Sequence, residues 1–296
     1  MKPKISVVIP SYNSMKTLKN TLESLKKQTF KDFEVLIVDD CSRDESFALA
    51  KRYTGSNTKI LRNKENKGPA VSRNVGIKNA RGGIIALTDS DCILSKDWLE
   101  NMHKRFKDKN INVIMGKVNI EKSTFLGDSI SSLGYPAGGS VGFDRMWRVD
   151  KNGWTERASS CNMGVRKEIF LKYGLFDESF PFAGGEDAEF PYRLTENKVK
   201  IKYCPEVVIW HVPRKDLKSF IKWHFLRGKT NYYCKQKMRG VYTEFVSLKI
   251  WSSINIIKDR YKDPKIILII PLLILTFILQ PMGFIYETTK KLIQEG

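Results

Sequence analysis

The sequence predicts an α/β protein: a Rossmann-like, mostly parallel sheet flanked by helices, followed by a helical, membrane-associated C-terminal extension. Three observations carry this. Short apolar runs alternate with helix-period patterns over the first hundred residues. Acidic or polar clusters follow the predicted strands, at residues 10–13, at Asp39-Asp40 and at Asp89-Ser90-Asp91. A 21-residue uncharged run, 266–286, stands near the C-terminus.

The elements follow in order. Residues 5–9 (Ile-Ser-Val-Val-Ile) read as a buried strand, and Ser14 is placed to cap a helix with Leu18, Leu22 and Leu25 on its apolar face. A second strand over 33–38 ends in Asp39-Asp40; a helix is expected over 44–53 and a short strand over 59–61. Gly68-Pro69 opens a helix to Ala80, because a proline in the first turn sacrifices no intrahelical bond. The strand over 84–87 runs into Asp89-Ser90-Asp91. Such alternation implies right-handed crossovers and a sheet covered on both faces. Ligands bind such sheets beyond the strands' carboxyl ends, so the three clusters are expected to converge on one site.

The middle of the chain is less regular. Residues 121–158, with Gly134, Gly138, Gly139 and Gly142, read as a long loop without secondary structure. A strand over 160–165, a helix over 167–173, a helix from Gly184-Gly185-Glu186-Asp187 to about Asn197 and two short strands within 199–210 are expected beyond it.

With 42% hydrophobic and 28% charged residues, the 296-residue chain has the profile of an ordered globular protein. The net charge of +19 points to polyanionic partners: nucleic acid, anionic lipid or phosphorylated substrates. Five cysteines without a Cys-x-x-Cys pair argue against a disulfide scaffold or a Cys-rich zinc site and for a reducing compartment. The first apolar run ends at Pro10 and is too short for a secretory signal. Between 212 and 265, fourteen Lys or Arg face four acids, interleaved with Phe220, Trp223, Phe225, Trp251 and Ile254. Basic amphipathic helices of this kind lie on anionic membranes.

The run over 266–286 is long enough for roughly 30 Å of hydrocarbon core. Arg260, Lys262 and Lys265 before it would keep the preceding chain on the cytoplasmic face. Pro271 and Pro281 leave several arrangements open: a kinked single span, a re-entrant hairpin, a peripheral helix, or a buried core helix.

Asp89-x-Asp91 at a strand end sets two hard oxygen ligands beside a turn, a pattern suited to Mg²⁺ or Mn²⁺ bridging to phosphates. A solvated turn explains most isolated Asp-x-Asp triplets. Here the triplet has company, since Asp39-Asp40 ends a neighbouring strand and Lys67, Arg73 and Asn74 lie on the intervening helix.

These residues carry a resemblance. Ile5 through Asn13 (ISVVIPSYN), Val38-Asp39-Asp40-Cys41-Ser42, Asn66 through Gly76 (NKGPAVSRNVG), Ala80-Arg81-Gly82 with Thr88-Asp89-Ser90-Asp91, and Gly185-Glu186-Asp187 are similar to glycosyltransferase family 2, in the family's order and spacing. The resemblance covers about residues 4–211. It implies a GT-A fold and an inverting, divalent-metal-dependent transfer from a nucleotide sugar. It places Pro10, Tyr12 and Asn13 in the nucleotide pocket, Asp39 on the base N3–H with Asp40 assisting, and Arg73 near the base or diphosphate. Lys67 and Ser90 join them as nucleotide-binding candidates. Asp89 would contact ribose or metal and Asp91 the metal, with His211 a further metal ligand. Asp187 would be the catalytic base and Glu186 would orient the acceptor. Cys92 departs from the pattern, since the family often has a further Asp there.

The implied organisation is a GT-A domain over 1–211 (1–110 the nucleotide-binding half, 111–211 the acceptor half), a basic amphipathic region over 212–265, and a hydrophobic membrane segment with a short tail over 266–296. The implied partners are a nucleotide-sugar donor, with UDP favoured by Asp39 although guanine N1–H is read similarly, a lipid-linked or cell-envelope glycan acceptor, and an anionic membrane surface. Direct loading of a sugar on polyprenyl phosphate is the competing enzyme class. A processive synthase is disfavoured by the absence of a Gln-x-x-Arg-Trp motif. From other classes, a non-catalytic membrane scaffold is opposed by intact Asp89, Asp91 and Asp187. A nucleic-acid-binding protein finds no helix-turn-helix, RRM or zinc pattern.

Overall fold

The computed structural model describes residues 2–295. Its first part alternates β1 (Ile5–Ser11), α1 (Leu18–Lys26), β2 (Phe33–Asp39), α2 (Ser46–Lys51), β3 (Thr58–Arg62), α3 (Gly68–Asn79) and β4 (Ile84–Thr88). These strands pair in parallel in the order β3-β2-β1-β4. β2 and β4 are buried at every position, which is why they read as continuous apolar runs rather than alternating ones. The register sets Ser11 abreast of Asp39, so the first two clusters share one sheet edge.

Ser14 works differently from the expected side-chain cap. Its carbonyl accepts from the N–H groups of Thr17 and Leu18, while its hydroxyl pairs with Ser11 Oγ at 2.6 Å, closing a turn ahead of α1. α2 is shorter than the expected 44–53.

The second part contains β5 (Cys92–Leu94), α4 (Trp98–Arg105), β6 (Val113–Ile120), α5 (Phe125–Ser131), α6 (Phe143–Met146), β7 (Trp154–Thr155), β8 (Asn162–Arg166), α7 (Lys167–Tyr173), α8 (Glu186–Glu196) and β9 (Ile201–His211). It continues the same sheet as β4-β8-β6-β9-β5, with β7 on β9. β8 is antiparallel to both β4 and β6, so the sheet is parallel in its first half and mixed in its second. The two strands expected within 199–210 are one, β9, whose register against β6 shifts between Gly116 and Lys117. Pro205 falls in that shift, where the ladder needs no N–H. Asn162 bridges the irregularity: its Nδ2 donates to Lys117 O and Val207 O, each at 2.9 Å, and its Oδ1 accepts from Trp98 Nε1 at 2.8 Å.

Three helices follow: α9 (Leu217–Lys237), α10 (Val241–Arg260) and α11 (Ile266–Glu295). Asp216 caps α9 by accepting from Ser219 N at 2.8 Å. α11 is one helix through both prolines, whose rings lie on its exposed face, so the hairpin arrangement does not occur. A second apolar cluster joins Phe220, Ile256, Ile269, Leu272 and Leu279 of these helices to Ile130, Leu133 and Met146. That contact accounts for structure in the segment expected to be a loop. Thr124 caps α5 by accepting from Gly127 N at 3.1 Å, and the short helices are held by partners far along the chain.

Candidate active site

The clusters at the ends of β1, β2 and β4 open onto one cavity of about 1310 Å³, which also reaches α8, α9 and α10. Pro10, Tyr12, Asp40, Arg73, Asp89, Ser90, Asp91, Glu186, Asp187 and His211 all line it. Asn13, Asp39 and Lys67 do not.

Each of those three has a local reason. Asn13 Oδ1 accepts from Arg43 N at 2.8 Å and its N–H donates to Ser42 Oγ at 3.0 Å, so it ties the loop after β1 to the loop after β2. Lys67 points to solvent and pairs with Glu65 at 3.2 Å. Asp39 is buried at the end of β2. Its Oδ2 meets Arg62 Nε at 3.1 Å and accepts from Ser42 N, while Oδ1 is buried without a hydrogen-bond partner. A buried carboxylate oxygen left unpaired is costly and calls for a donor. Asp40 has no free oxygen to offer. Oδ1 accepts from Lys67 N and Asn63 Nδ2 and Oδ2 from Gly68 N at 2.7 Å, so it holds the N-terminus of α3.

Arg73 is the central charge. Its guanidinium forks to Asp89 Oδ1 at 2.8 Å and Glu186 Oε1 at 2.9 Å, joining α3, the end of β4 and the start of α8. Burial works against this cation, but Asp89 and then Glu186 outweigh it and raise its pKa. Burial first, and the neighbouring Asp187 second, push the Glu186 carboxyl above the usual range against the pull of Arg73. Glu186 Oε2 also accepts from Gly184 N at 2.8 Å, so both of its oxygens are occupied. Asp187 contrasts with it: it lines the cavity, and its Oδ1 has no hydrogen-bond partner.

The antiparallel pairing of Cys92 with His211 sets Asp91 beside the imidazole. His211 Nε2 is 3.3 Å from Asp91 Oδ1, and Nδ1 lies 2.8 Å from Val212 O. A carbonyl accepts only, so Nδ1 carries a proton and Nε2 turns toward the carboxylate. An acceptor pair at this distance calls for positive charge between or upon them, which a divalent cation supplies. Asp91, Cys92 and His211 form a metal-competent group within 4.8 Å. Burial pushes the Cys92 thiol well above its ordinary pKa, so it stays a neutral thiol and a poor ligand for a hard cation. Asp91 and His211 therefore fit a divalent metal, whereas Asp89 Oδ1 is engaged by Arg73.

The opposite wall was hidden in the basic C-terminal region. Arg227 of α9 lines the cavity, and its Nη1 donates to Gly184 O at 2.5 Å, fixing the turn that presents Glu186 and Asp187. Gly184 has φ +96°, and a Cβ there would stand 2.1 Å from Arg227 Nη1, so this turn requires glycine. Trp223 lines the same wall, with Arg214 over its ring at 5.1 Å. Arg157 pairs with Glu244 and keeps a buried, unpartnered Nε. Arg227-Gly228-Lys229 and His224 are candidates from the sequence for diphosphate or phospholipid contact, whereas the positions of Trp223, Arg214 and Arg157 depend on how α9 and α10 fold back over the sheet.

A cavity of nucleotide scale thus opens at the carboxyl ends of such a sheet, with a metal-competent pair and two adjacent carboxylates on its walls. Residues 6–174 match the profile of "Glycosyl transferase family 2", and the chain belongs to that family. It is a glycosyltransferase with the GT-A fold, which removes the non-catalytic scaffold reading. "Glycosyltransferase AglE" of Haloferax volcanii is 26% identical over 235 residues, covering 77% of this chain and 72% of AglE. Among solved structures, "Mannosyltransferase PcManGT" of Pyrobaculum calidifontis, in complex with GDP-Man and Mn²⁺, has a TM-score of 0.62 at 16% identity, covering all of this chain and 89% of that one. The 1–349 fragment of TarS from Staphylococcus aureus, also solved with UDP-GlcNAc, has a TM-score of 0.56 at 20% identity, covering 88% of this chain and 73% of that one. Against full-length TarS, a "Poly(ribitol-phosphate) beta-N-acetylglucosaminyltransferase", the sequence match spans 21% of the relative.

Proposed function

We propose that this glycosyltransferase is inverting and divalent-metal-dependent. In this reading it moves a sugar from a UDP-sugar to a lipid-linked or cell-envelope glycan acceptor at the cytoplasmic membrane face. The observation that carries it is the division of labour between adjacent carboxylates: Glu186 is fully engaged, while Asp187 lines the cavity and has a buried oxygen without a partner. A base must be free to take a proton, and a positioning group must not be.

Asp187 takes the proton of the acceptor hydroxyl as its oxygen attacks the anomeric carbon opposite the leaving diphosphate, which inverts the centre. Glu186, clamped by Arg73 and the Gly184 N–H, holds the first turn of α8 so that Asp187 keeps its aim. Asp39, whose buried Oδ1 lacks a donor, would take the nucleobase N–H, in accord with uracil, only once the cavity opens to it. Asp91 and His211 would hold Mn²⁺ or Mg²⁺, which when bound supplies Lewis-acid charge to the leaving diphosphate. Asp40, held by the N-terminus of α3, shapes the nucleotide pocket rather than contacting the base.

A panel of donors tests this directly. UDP-, GDP- and dTDP-sugars titrated by calorimetry with and without Mn²⁺ should give binding for the UDP donor only, and only with metal. Metal-independent binding, or preference for a GDP donor, would overturn the corresponding part.

A further inference from the structure

We infer that α10 and α11 seat the enzyme on an anionic bilayer as an in-plane, monotopic surface, and that α11 does not cross the membrane. This deepens the membrane-face part of the proposed function and is independent of donor and acceptor.

By length and hydropathy α11 passes as a span. Its surroundings point elsewhere, because its two faces differ. Ile267, Ile270, Ile274, Ile278, Met282 and Ile285 recur every three or four residues and are each 41–71% exposed. The opposite face is packed, through apolar contacts at Ile269, Leu272 and Leu273 and through polar contacts between Thr276 and Glu287. Lys249 Nζ donates to Thr276 O at 2.8 Å and Gln280 Oε1 at 3.0 Å, His224 Nδ1 meets Gln280 Nε2 at 3.1 Å, and Lys229 pairs with Glu287 at 3.2 Å.

These contacts also fix direction. Residues 224 to 233 of α9 meet 280 to 287 of α11 in ascending order, so the two helices run side by side in the same sense. Glycines bring the backbones together: a Cβ at Gly283 would stand 2.1 Å from Phe225 O. A spanning α11 would therefore carry α9 across with it. α9 bears Lys218, Lys222, Arg227, Lys229, Lys235 and Lys237, and its Trp223 and Arg227 line the donor cavity. Burying that many cations and an aqueous site in hydrocarbon is an expense that α11's apolar face does not offset.

An in-plane arrangement satisfies both faces. α10 adds its own outer stripe, Val246, Ile250, Ile254 and Ile257, each 39–49% exposed. The two helices adjoin, with Lys249 Nζ 4.2 Å from the Phe277 ring centre and Tyr242 5.0 Å from Phe284. Exposed cations of this region, such as Lys222 and Lys258, are then available to lipid phosphates while the stripes enter the acyl boundary.

The test places spin labels on the full chain at Ile267→Cys, Ile278→Cys and Ile285→Cys, one at a time in a Cys41→Ser background, on phosphatidylglycerol/phosphatidylcholine vesicles. All three should lie at one shallow depth, about 5–10 Å below the headgroups. A gradient with Ile278 near the bilayer midplane would establish a span and overturn the inference. Ile274→Glu with Ile278→Glu should lower vesicle partitioning about tenfold or more with Mn²⁺-dependent UDP binding retained. Unchanged partitioning, or self-association through this face without vesicle binding, would equally overturn it, whereas failure of UDP binding in the parent chain would count against the donor site alone.

Discussion

Arg73 and Glu186 stand 113 residues apart in sequence and 2.9 Å apart in space, and that contact ties α3 to the start of α8 across the candidate site. Both side chains are buried, so neither charge has water to fall back on. Arg73→Met should strand Glu186 and Asp89 and lower stability by about 3–5 kcal/mol, the usual result of removing one partner of a buried pair. Arg73→Lys reaches one carboxylate but cannot fork to both, and should recover only part of the loss. Denaturant unfolding of both variants and of Arg73→Met/Glu186→Gln checks this. The double variant should be more stable than the two single losses sum to, because the stranded charge at Glu186 is gone.

The neighbouring carboxylates should separate kinetically. Asp187→Asn is expected to lower kcat by ~10²-fold or more with UDP-sugar affinity retained, the typical contribution of a general base. Glu186→Gln should keep more kcat and lose more stability, since it weakens the Arg73 contact. Steady-state kinetics with thermal unfolding on the same preparations distinguishes the two, and a reversed pattern would assign the base to Glu186.

The parallel half was legible because buried strands and capped helices are local patterns: β2 and β4 could be read from their apolar runs, and Asp89 and Asp91 from the turn that follows. Other features were set by distant partners. Asp40 reads as a ligand from its neighbourhood, yet the N–H groups of Lys67 and Gly68 claim it. Residues 121–158 read as loop, because α5 and α6 owe their stability to packing on helices far along the chain. The Arg227 contact with Gly184 was equally invisible, since a basic amphipathic stretch looks the same whether it covers a lipid or a catalytic turn.

Metal binding should depend on both residues that face each other across the sheet edge. Asp91→Asn and His211→Ala are each expected to weaken Mn²⁺ affinity at least about tenfold, a loss that outer-sphere partners alone can cause. Asp89→Asn should affect the Arg73 network more than the metal, because its Oδ1 is already bonded there. Calorimetric Mn²⁺ titration in the presence of UDP ranks the three, and an Asp89 loss equal to that of Asp91 would place Asp89 among the ligands.

His224 gives the fold an acid limit. Burial first, then the charges of Lys249, Arg214 and Arg227, lower its pKa from the ordinary 6.5 to about 3, and Gln280 Nε2 donates to its Nδ1. Between those values the unfolded chain binds a proton that the folded chain refuses. Stability therefore falls as pH drops through about 6.5 toward 3. His224→Asn removes that titration, so the slope of unfolding free energy against pH in this window should flatten even if absolute stability is lower. An unchanged slope would assign the acid sensitivity to other groups.

The α9–α11 contact offers a geometric test. A Cβ at Gly228 would stand 2.0 Å from Gln280 O, a backbone atom that moves only if α11 moves. Gly228→Ala is therefore expected to be destabilising despite alanine's better helix propensity, by about 1–3 kcal/mol as for other overpacked sites. Because Arg227 is the adjacent residue and holds Gly184 O, the shift should reach the active site as well, lowering kcat along with the melting temperature. Gly55→Ala serves as the control: nothing lies within 4 Å of its added methyl, and stability should change by no more than about 0.5 kcal/mol. Differential scanning calorimetry of the two variants decides the matter. If Gly228→Ala melts with the parent protein, the helices are not packed this closely, and the argument that α9 must accompany α11 loses its basis.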